Sequence, residues 1–419
     1  MSKYRFLSLA LVLALLLSFS GLAIAQEEVH LTLAGWSSNP AEDAALQAAL
    51  DQFMEENPGV TIEFIPSPDH NLTMQTAFAS GDYAEVFYID SSRLPDWVAA
   101  GVVAPAEDNI EAVEGFYPSL IEVFTIDGTL YCPPKDFSTM ALQYNRDLFD
   151  SAGVEYPTAD WTWDDMRAAA AAISEANPDV VGLVTPPNLE RWLPFLYQAG
   201  GALFDEEGNF TFDSDETRQA LDLYVGMVNE GIAGPPSAVD AGWGGEAFGE
   251  GRAAMAMEGN WVIQFLLENY PELNWGVVEL PAGPAGEATM AFTVCYGVAA
   301  DNDHPEESWA LVNFLTGAEG AQFVAESSFG PMPTRTEAAD LYLETWGPRS
   351  EGTNFNPEDL QAFVTGADYA QRWQLPVGFQ QFTDAFNAAL QQGFDGQVAV
   401  DDIIFEANLV AEELLATAG

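Results

Sequence analysis

Lysine is almost absent from this chain. Only Lys3 and Lys135 occur among its 419 residues, and the 12 lysines and arginines face 65 aspartates and glutamates, for a formal net charge of −53. A nucleic-acid binder needs clustered cations that contact phosphates, and an anionic membrane surface makes the same demand on its partner. The composition therefore excludes nucleic acid as a partner and disfavours an anionic membrane surface.

Several motifs of catalysis and metal binding are also missing. The chain contains no Gly-Lys-Ser/Thr triplet, no Gly-x-Ser-x-Gly and no Cys-x-x-Cys, and its histidines, His30, His70 and His304, form no His-Glu-x-x-His. These absences exclude a P-loop, the usual hydrolase elbow, a zinc ribbon and a zincin helix. The sequence thus offers no motif for a metal or a cofactor.

Residues 1–25 have the pattern of a signal peptide. Lys3 and Arg5 precede an apolar run, and Ala23-Ile24-Ala25 supplies the small-x-small cleavage pattern. An uncleaved anchor is the alternative, because the apolar stretch approaches the length of a membrane span. We expect export to the periplasm or to the outer face of the cytoplasmic membrane. No cysteine near the cleavage point could carry a lipid.

The two cysteines, Cys132 and Cys295, leave two alternatives open. In an oxidising compartment such a pair is often bridged, whereas two buried free thiols would act as small hydrophobic side chains. Sequence alone does not place their Cα atoms.

The acidity extends along the whole chain and calls for its own explanation. Like charges repel across the surface at low ionic strength, and molar salt reduces the Debye length to about 3 Å. The composition therefore predicts an exported protein adapted to a saline environment.

Alternating strands and helices predict an α/β fold. A strand starts at Val29, a helix starts at Pro40 and ends before Asn57-Pro58, and further strands are expected at 60–65 and 85–89. Such alternation is typical of a mostly parallel sheet covered by helices.

A second α/β region follows Pro133-Pro134. Thr162 and Asp165 have the spacing of a capping box, and Ser214 is expected to cap a helix that ends at Gly231. We interpret residues 242–247, which only loosely match a dinucleotide-binding loop, as a flexible turn.

A series of short motifs resembles the extracellular solute-binding proteins of ABC importers, in the maltose-binding-like sugar branch known as family 1. Each motif is weak alone, but their order along nearly the whole chain is characteristic. The motifs are Tyr144-Asn145-Arg146-Asp147-Leu148-Phe149, Phe248-Gly249-Glu250-Gly251-Arg252-Ala253-Ala254-Met255, Gly259-Asn260-Trp261, Leu280-Pro281-Ala282-Gly283-Pro284 and Gly330-Pro331-Met332-Pro333-Thr334-Arg335.

The resemblance implies a two-lobed periplasmic-binding-protein-like fold of type II with a ligand cleft between the lobes. Lobe I would comprise residues 26–134 and about 296–333, and lobe II residues 135–295 and about 334–419. The chain would cross between the lobes near residues 132–139, 292–299 and 331–335. Ligand binding would stabilise a closed state, which would dock on the permease subunits of the importer as a monomer, with no catalytic residue and no cofactor.

A sugar site needs aromatic rings for the apolar faces of the pyranose and polar groups for its hydroxyls. Trp36 also stands at the carboxyl end of the first strand, where α/β folds place ligands. Carried over from the resemblance, the ligand-binding candidates are Trp36, Ser37, Asp90, Ser92, Arg93, Asp136, Trp192, Trp243, Trp261, Arg372 and Trp373. For Trp192 and Trp243, packing in the core or on the surface is an equal alternative.

Two other functions are weighed against sugar binding. One is a binder of a non-sugar solute, such as a polyamine or glycerol phosphate; the acidic field favours the cation. The other is a secreted carbohydrate-active enzyme, although a carboxylate pair at a catalytic spacing cannot be recognised among so many acidic residues.

Overall fold

The computed structural model describes residues 28–36, 40–106, 108–205, 208–326, 330–372 and 375–418. The predicted signal peptide and two of the ligand-binding candidates, Ser37 and Trp373, lie outside the described residues.

Helices and strands alternate through the described part of the chain. Its α-helices are α1 Pro40–Glu56, α2 His70–Ser80, α3 Leu94–Ala99, α4 Pro118–Val123, α5 Arg146–Ala152, α6 Trp163–Ala176, α7 Leu189–Gln198, α8 Asp215–Asn229, α9 Gly244–Gly249, α10 Val262–Asn269, α11 Pro305–Thr316, α12 Ala318–Glu326, α13 Ala339–Arg349, α14 Gln361–Gly366, α15 Gln380–Phe394 and α16 Val400–Ala418. Its strands are β1 Val29–Trp36, β2 Val60–Ser67, β3 Val86–Asp90, β4 Thr125–Ile126, β5 Thr129–Leu130, β6 Pro134–Asn145, β7 Val181–Val184, β8 Ala233–Gly234, β9 Ala253–Gly259, β10 Trp275–Val278, β11 Thr289–Val298, β12 Met332–Pro333 and β13 Ala370–Arg372.

Local sequence signals account for several of these boundaries. The capping box of α6 is present: the Thr162 hydroxyl accepts a hydrogen bond from the Asp165 N–H, and the Asp165 carboxylate accepts one from the Thr162 N–H at 2.9 Å. Ser214 caps α8 through the N–H of Thr217. Gly231 follows that helix at a φ of 74°, where a side chain would be strained. These predictions are confirmed.

One sheet runs through the molecule in the order β2-β1-β3-β11-β6-β9-β7-β8. At one end β1 lies parallel between β2 and β3, and at the other end β7 lies parallel between β9 and β8. The central strands β11 and β6 are antiparallel to each other. The structure thus has a parallel α/β unit at each end and an antiparallel junction between them.

Strand β6 forms the junction between the two units, and all twelve of its residues are buried. Its first half pairs with β11 from Pro134 to Thr139, and its second half pairs with β9 from Met140 to Tyr144. Just before β6, Cys132 forms a disulfide with Cys295 on β11, with a Cα–Cα distance of 5.6 Å. Of the two alternatives for the cysteines, the bridge is confirmed.

The hydrophobic residues collect in separate cores on the two sides of this junction. A first core contains Leu31, Phe87 and Trp97 and includes the disulfide. A second core contains Trp192 and Phe386. A third cluster, on the other face of β6 and β9, packs helices α10, α12 and α13 together. The predicted lobe boundaries near residues 134, 295 and 333 stay a prediction.

Candidate functional site

A cavity of about 650 Å³ lies between the first core and the side chains that pack on the second core and the third cluster, above strands β6 and β11. Both units and the junction contribute to its wall. Its aromatic lining consists of Trp36, Tyr88, Trp243, Trp261, Phe265 and Phe292. Its charged lining consists of Glu42, Asp90, Lys135, Asp136 and Glu268. Apolar rings interspersed with a few charged groups are typical of small-molecule sites.

Trp36 reaches the cavity from the last position of β1. Its ring centroid lies 4.6 Å from that of His70 and 6.0 Å from that of Tyr88. His70 is buried beneath it and makes a hydrogen bond of 2.9 Å to the carbonyl oxygen of Tyr88. Because that carbonyl accepts, Nε2 of His70 donates, and burial lowers the pKa of the imidazole. The Trp36 ring therefore rests on an aromatic base that is neutral at neutral pH.

Trp243 and Trp261 extend from the opposite side, and each ring lies directly against a glycine. A Cβ atom at Gly245 would come within 2.2 Å of the Trp243 ring, and one at Gly259 within 2.2 Å of the Trp261 ring. The rings could not occupy these positions if either glycine had a side chain. The predicted flexible turn at 242–247 is wrong here: helix α9 begins at Gly244, and Trp243 is its N-terminal flanking residue.

A buried ion pair holds the Trp261 ring in its orientation. The Glu258 carboxylate accepts hydrogen bonds from the Trp261 indole N–H at 3.2 Å and from the Arg191 guanidinium at 2.7 Å. The same guanidinium lies 5.3 Å from the Trp261 ring centroid and 5.7 Å from that of Phe292. Arg191 thus combines a charge-assisted hydrogen bond with two cation–π contacts. The hydrogen bond to Glu258 and the contact with the Trp261 ring together fix the ring face that Trp261 presents to the cavity.

Asp90 ends β3 and organises the turn that follows. One carboxylate oxygen accepts hydrogen bonds from the Ser92 N–H at 2.8 Å and from the Ser92 hydroxyl at 2.6 Å. Burial raises the pKa of Asp90, although the bonds from Ser92 and the charge of Arg93 oppose the shift. Asp90 lines the main cavity, and all three residues line a smaller compartment beside it.

The floor of the cavity contains Lys135, the one lysine of the described residues. Its ammonium group is ion-paired with Asp136 and lies 3.3 Å from the Glu42 carboxylate and 4.8 Å from the Tyr88 ring centroid. Burial alone would lower the pKa of Lys135, but the two carboxylates outweigh it and raise the pKa. Lys135 is therefore charged, and neighbouring carboxylates neutralise it.

The structure brings Trp36, Asp90, Asp136, Trp243 and Trp261 to one cavity, with Ser92 and Arg93 in the compartment beside it. The two remaining described candidates line neither space.

Trp192 is fully buried in the second core, where its ring centroid lies 4.9 Å from that of Phe386 and 5.9 Å from that of Phe212. Trp192 therefore packs in the core, which was the alternative to ligand binding for this residue. Arg372 is exposed on β13 and forms an ion pair with Glu122 instead of reaching the cavity.

Glu190, Arg191 and Phe292 line these spaces but were not among the candidates. The sequence contained a signal for Glu190 and Arg191. Both lie in the first turn of α7, which Asn188 caps just after the parallel strand β7 ends at Val184. The rule that selected Trp36 at the end of β1 also applies at the end of β7.

No group of three or more His, Cys, Asp and Glu side chains in the described residues is placed to hold a metal ion. Among the helices described, none is both long and apolar enough to cross a membrane.

Two known relatives match this chain over three quarters of its length or more. A protein of Brucella abortus whose name describes it only as a binding protein is 26% identical over 416 residues, which are 96% of this chain and 97% of that protein. The arabinooligosaccharide-binding protein of Halalkalibacterium halodurans is 26% identical over 329 residues, 75% of this chain and 73% of its own.

Solved structures share the fold. An ABC substrate-binding protein of Listeria monocytogenes, in complex with cycloalternan, has a TM-score of 0.82 at 24% identity, covering 93% of this chain and 100% of that chain. The GacH receptor of Streptomyces glaucescens has a TM-score of 0.79 at 24% identity, covering 93% and 99%. The predicted two-lobed periplasmic-binding-protein fold is confirmed.

The family model that matches this chain describes bacterial extracellular solute-binding proteins and covers residues 37–322. Its members are binding proteins rather than enzymes. The chain therefore belongs to the bacterial extracellular solute-binding proteins, as the resemblance in its sequence predicted.

Proposed function

We propose that this protein is the extracytoplasmic substrate-binding component of an ABC importer and that it binds a sugar or an oligosaccharide in the aromatic cavity that both units line. The observation that carries the proposal is the composition of the cavity wall: Trp36 on one side and Trp243 and Trp261 on the other, with carboxylates between them.

The wall suits a sugar for a chemical reason. A pyranose ring has an apolar C–H face, which packs on an aromatic ring, and a rim of hydroxyls, which need hydrogen-bond partners. Carboxylates such as Asp90 and Asp136 accept strong hydrogen bonds from hydroxyls. The names of two relatives agree with this class, since one binds arabino-oligosaccharides and another is in complex with cycloalternan.

Binding between two units also explains how the protein would signal that it is loaded. Residues from both sides of the junction contact one ligand, so the ligand stabilises their closed arrangement. The closed monomer would dock on the permease subunits and release the sugar unchanged. Export would follow from the predicted signal peptide, with cleavage after Ala25.

The first experiment is a thermal-shift screen in molar NaCl with glucose, arabinose, maltose, maltotriose, cellobiose and arabinobiose. A sugar that binds only the native state raises the melting temperature. Chromatography after prolonged incubation should recover the sugar intact. If no neutral sugar raises the melting temperature, sugar binding is refuted; if the sugar is cleaved, the protein is an enzyme.

The second experiment locates the site by calorimetric titration of Trp261→Ala with the tightest-binding sugar of the screen. We expect a loss of affinity of about tenfold, on the order of 1.4 kcal/mol, because the stacking face is removed. Trp161→Ala is the matched control, since Trp161 is also partly buried against the second core but does not line the cavity. Unchanged affinity in a folded Trp261→Ala variant would place the sugar elsewhere.

A further inference from the structure

A second, polar compartment of about 200 Å³ adjoins the aromatic cavity. The two share Asp90 and Phe292. Ser92 and Arg93 close the compartment from the first core, and Glu190 and Thr383 close it from the second. Its volume greatly exceeds the roughly 10–15 Å³ that a single water needs, so it admits a group of many atoms.

Unpartnered polar atoms concentrate around this compartment. Among the described residues, five of those that line it each have a buried side-chain nitrogen or oxygen atom with no hydrogen-bond partner. The five are Oδ1 of Asn71, Nε of Arg93, Oε2 of Glu190, Nε of Arg191 and Oγ1 of Thr383. Buried polar groups in native proteins almost always have partners, and an unsatisfied one is costly. Their convergence on one space indicates that a polar group binds there.

The chemistry of these atoms defines the group. Two are N–H donors, two are acceptors, and the Thr383 hydroxyl can be either. Arg191 is already ion-paired with Glu258, and Arg93 shares the lining of the compartment with Asp90 and Glu190. Donors and acceptors together match hydroxyls, which both donate and accept. A carboxylate only accepts hydrogen bonds and would leave the acceptors of Asn71 and Glu190 without donors, whereas an ammonium only donates and would leave the Nε–H groups of the two arginines without acceptors.

The aromatic rings, by contrast, line the aromatic cavity, and among the described residues Phe292 is the one ring that lines both spaces. A sugar unit in the polar compartment would therefore be held mainly through its hydroxyls. A unit bonded to it would extend towards Trp261, whose orientation depends on Arg191. Arg191 thus connects the two spaces: it lines the polar compartment, where its Nε has no partner, and its guanidinium group contacts the Trp261 ring, which lines the aromatic cavity.

We propose that the polar compartment binds a terminal, uncharged and unsubstituted sugar unit through its hydroxyls while the neighbouring unit stacks on the aromatic wall, so that the substrate is a neutral saccharide of at least two units. This inference rests on the proposed function and adds to it the minimum length and the charge class of the sugar.

Calorimetric titration in molar NaCl tests the length and the charge first. The better of maltose, cellobiose and arabinobiose should bind at least tenfold more tightly than its own monosaccharide, glucose or arabinose. Digalacturonate and the chitosan dimer should bind at least tenfold more weakly than that disaccharide, because salt screens buried charges little. A monosaccharide that binds as tightly as any disaccharide, or a charged dimer that binds as tightly as the neutral one, would overturn the proposal.

Two variants then test the compartment itself. Thr383→Val removes one buried hydroxyl and should weaken binding of the neutral disaccharide about three- to tenfold. Thr185→Val is the matched control, because the Thr185 hydroxyl is also buried without a hydrogen-bond partner but lines neither compartment. Glu190→Gln should weaken the neutral disaccharide and raise the affinity of digalacturonate relative to it at least tenfold.

The outcomes separate this inference from the proposed function. If Trp261→Ala loses affinity while Thr383→Val and Glu190→Gln bind the disaccharide like the wild type, the sugar site stands and the polar compartment is not part of it. If all three variants bind like the wild type, the site itself is misplaced. If no neutral sugar binds, both proposals fail together.

Discussion

Removal of the Cys132–Cys295 bond should destabilise the protein strongly. The two residues are 163 positions apart, and the loop that they close contains the whole path of the chain from the start of β6 to Cys295 within β11. In the chain-entropy description, closing a loop of this length lowers the entropy of the unfolded chain by an amount worth about 5 kcal/mol at 25 °C. Both cysteines are fully buried in the first core, so the bond is inaccessible in the folded state.

The size of the effect depends on how the molecule unfolds. If the whole chain unfolds in one transition, the full loop is released and the estimate applies. If the second core stays folded after the first has unfolded, the flexible loop is much shorter and the bond contributes less. Urea melts of Cys132→Ala/Cys295→Ala in molar NaCl, followed by fluorescence and by circular dichroism, distinguish the two cases.

Reduction of the wild-type protein provides the control. Denaturation with a thiol reductant should shift the wild type to the midpoint of the double variant and leave the variant unchanged. A single cooperative transition with a loss of less than about 1 kcal/mol would refute the loop-entropy reasoning for this fold.

Two further predictions concern solution conditions. Raising NaCl from low to molar concentration should increase the melting temperature by at least about 5 °C, because it screens repulsion among the surplus carboxylates; a flat curve in a salt series would contradict this. Acidification from about pH 7 to about pH 5 should lower the free energy of unfolding of the wild type by more than it lowers that of the His70→Gln variant. Urea melts of both proteins at each pH measure the two losses. The folded protein holds the pKa of His70 below its ordinary value of about 6.5, so below that pH the unfolded chain binds a proton that the folded chain resists. Equal losses of stability in the wild type and the variant would contradict the lowered pKa of His70.

Most of the local structure could be predicted because short-range signals decide it. Thr162 and Asp165 specify their capping box within four residues, and Gly231 ends α8 because its backbone conformation favours glycine. The sequence did not predict helix α9, because short-range signals do not favour a helix there. Gly244 and Gly245 have a low intrinsic helix propensity. The helix forms together with contacts that the sequence does not show, such as the contact of Gly245 with the Trp243 ring.

The candidate site could be predicted in part. Trp36 and Asp90 end parallel strands of the first unit, and the rule for ligand positions in α/β folds places them at the same edge of the sheet. Arg372 lies away from the cavity because its position follows from the pairing of β13 with β11, some 80 residues earlier in the chain, and the local sequence does not encode that pairing. The pairing of Arg191 with Glu258 was out of reach for the same reason, since 67 residues separate them.

The scarcity of cations and the geometry of the cleft are connected. Lys135 lies 3.3 Å from Glu42, and Arg191 lies 2.7 Å from Glu258, so two of the few cations in the described residues are used within the cleft region. Most of the excess carboxylates lie elsewhere in the chain, where they repel one another through water across longer distances. Salt at molar concentration screens beyond about 3 Å in water and acts much less on buried pairs in contact. The same salt that relieves repulsion at the surface therefore leaves intact the ion pairs that orient Trp261 and neutralise Lys135, so a strongly acidic exterior is compatible with ion pairs that persist inside the cleft.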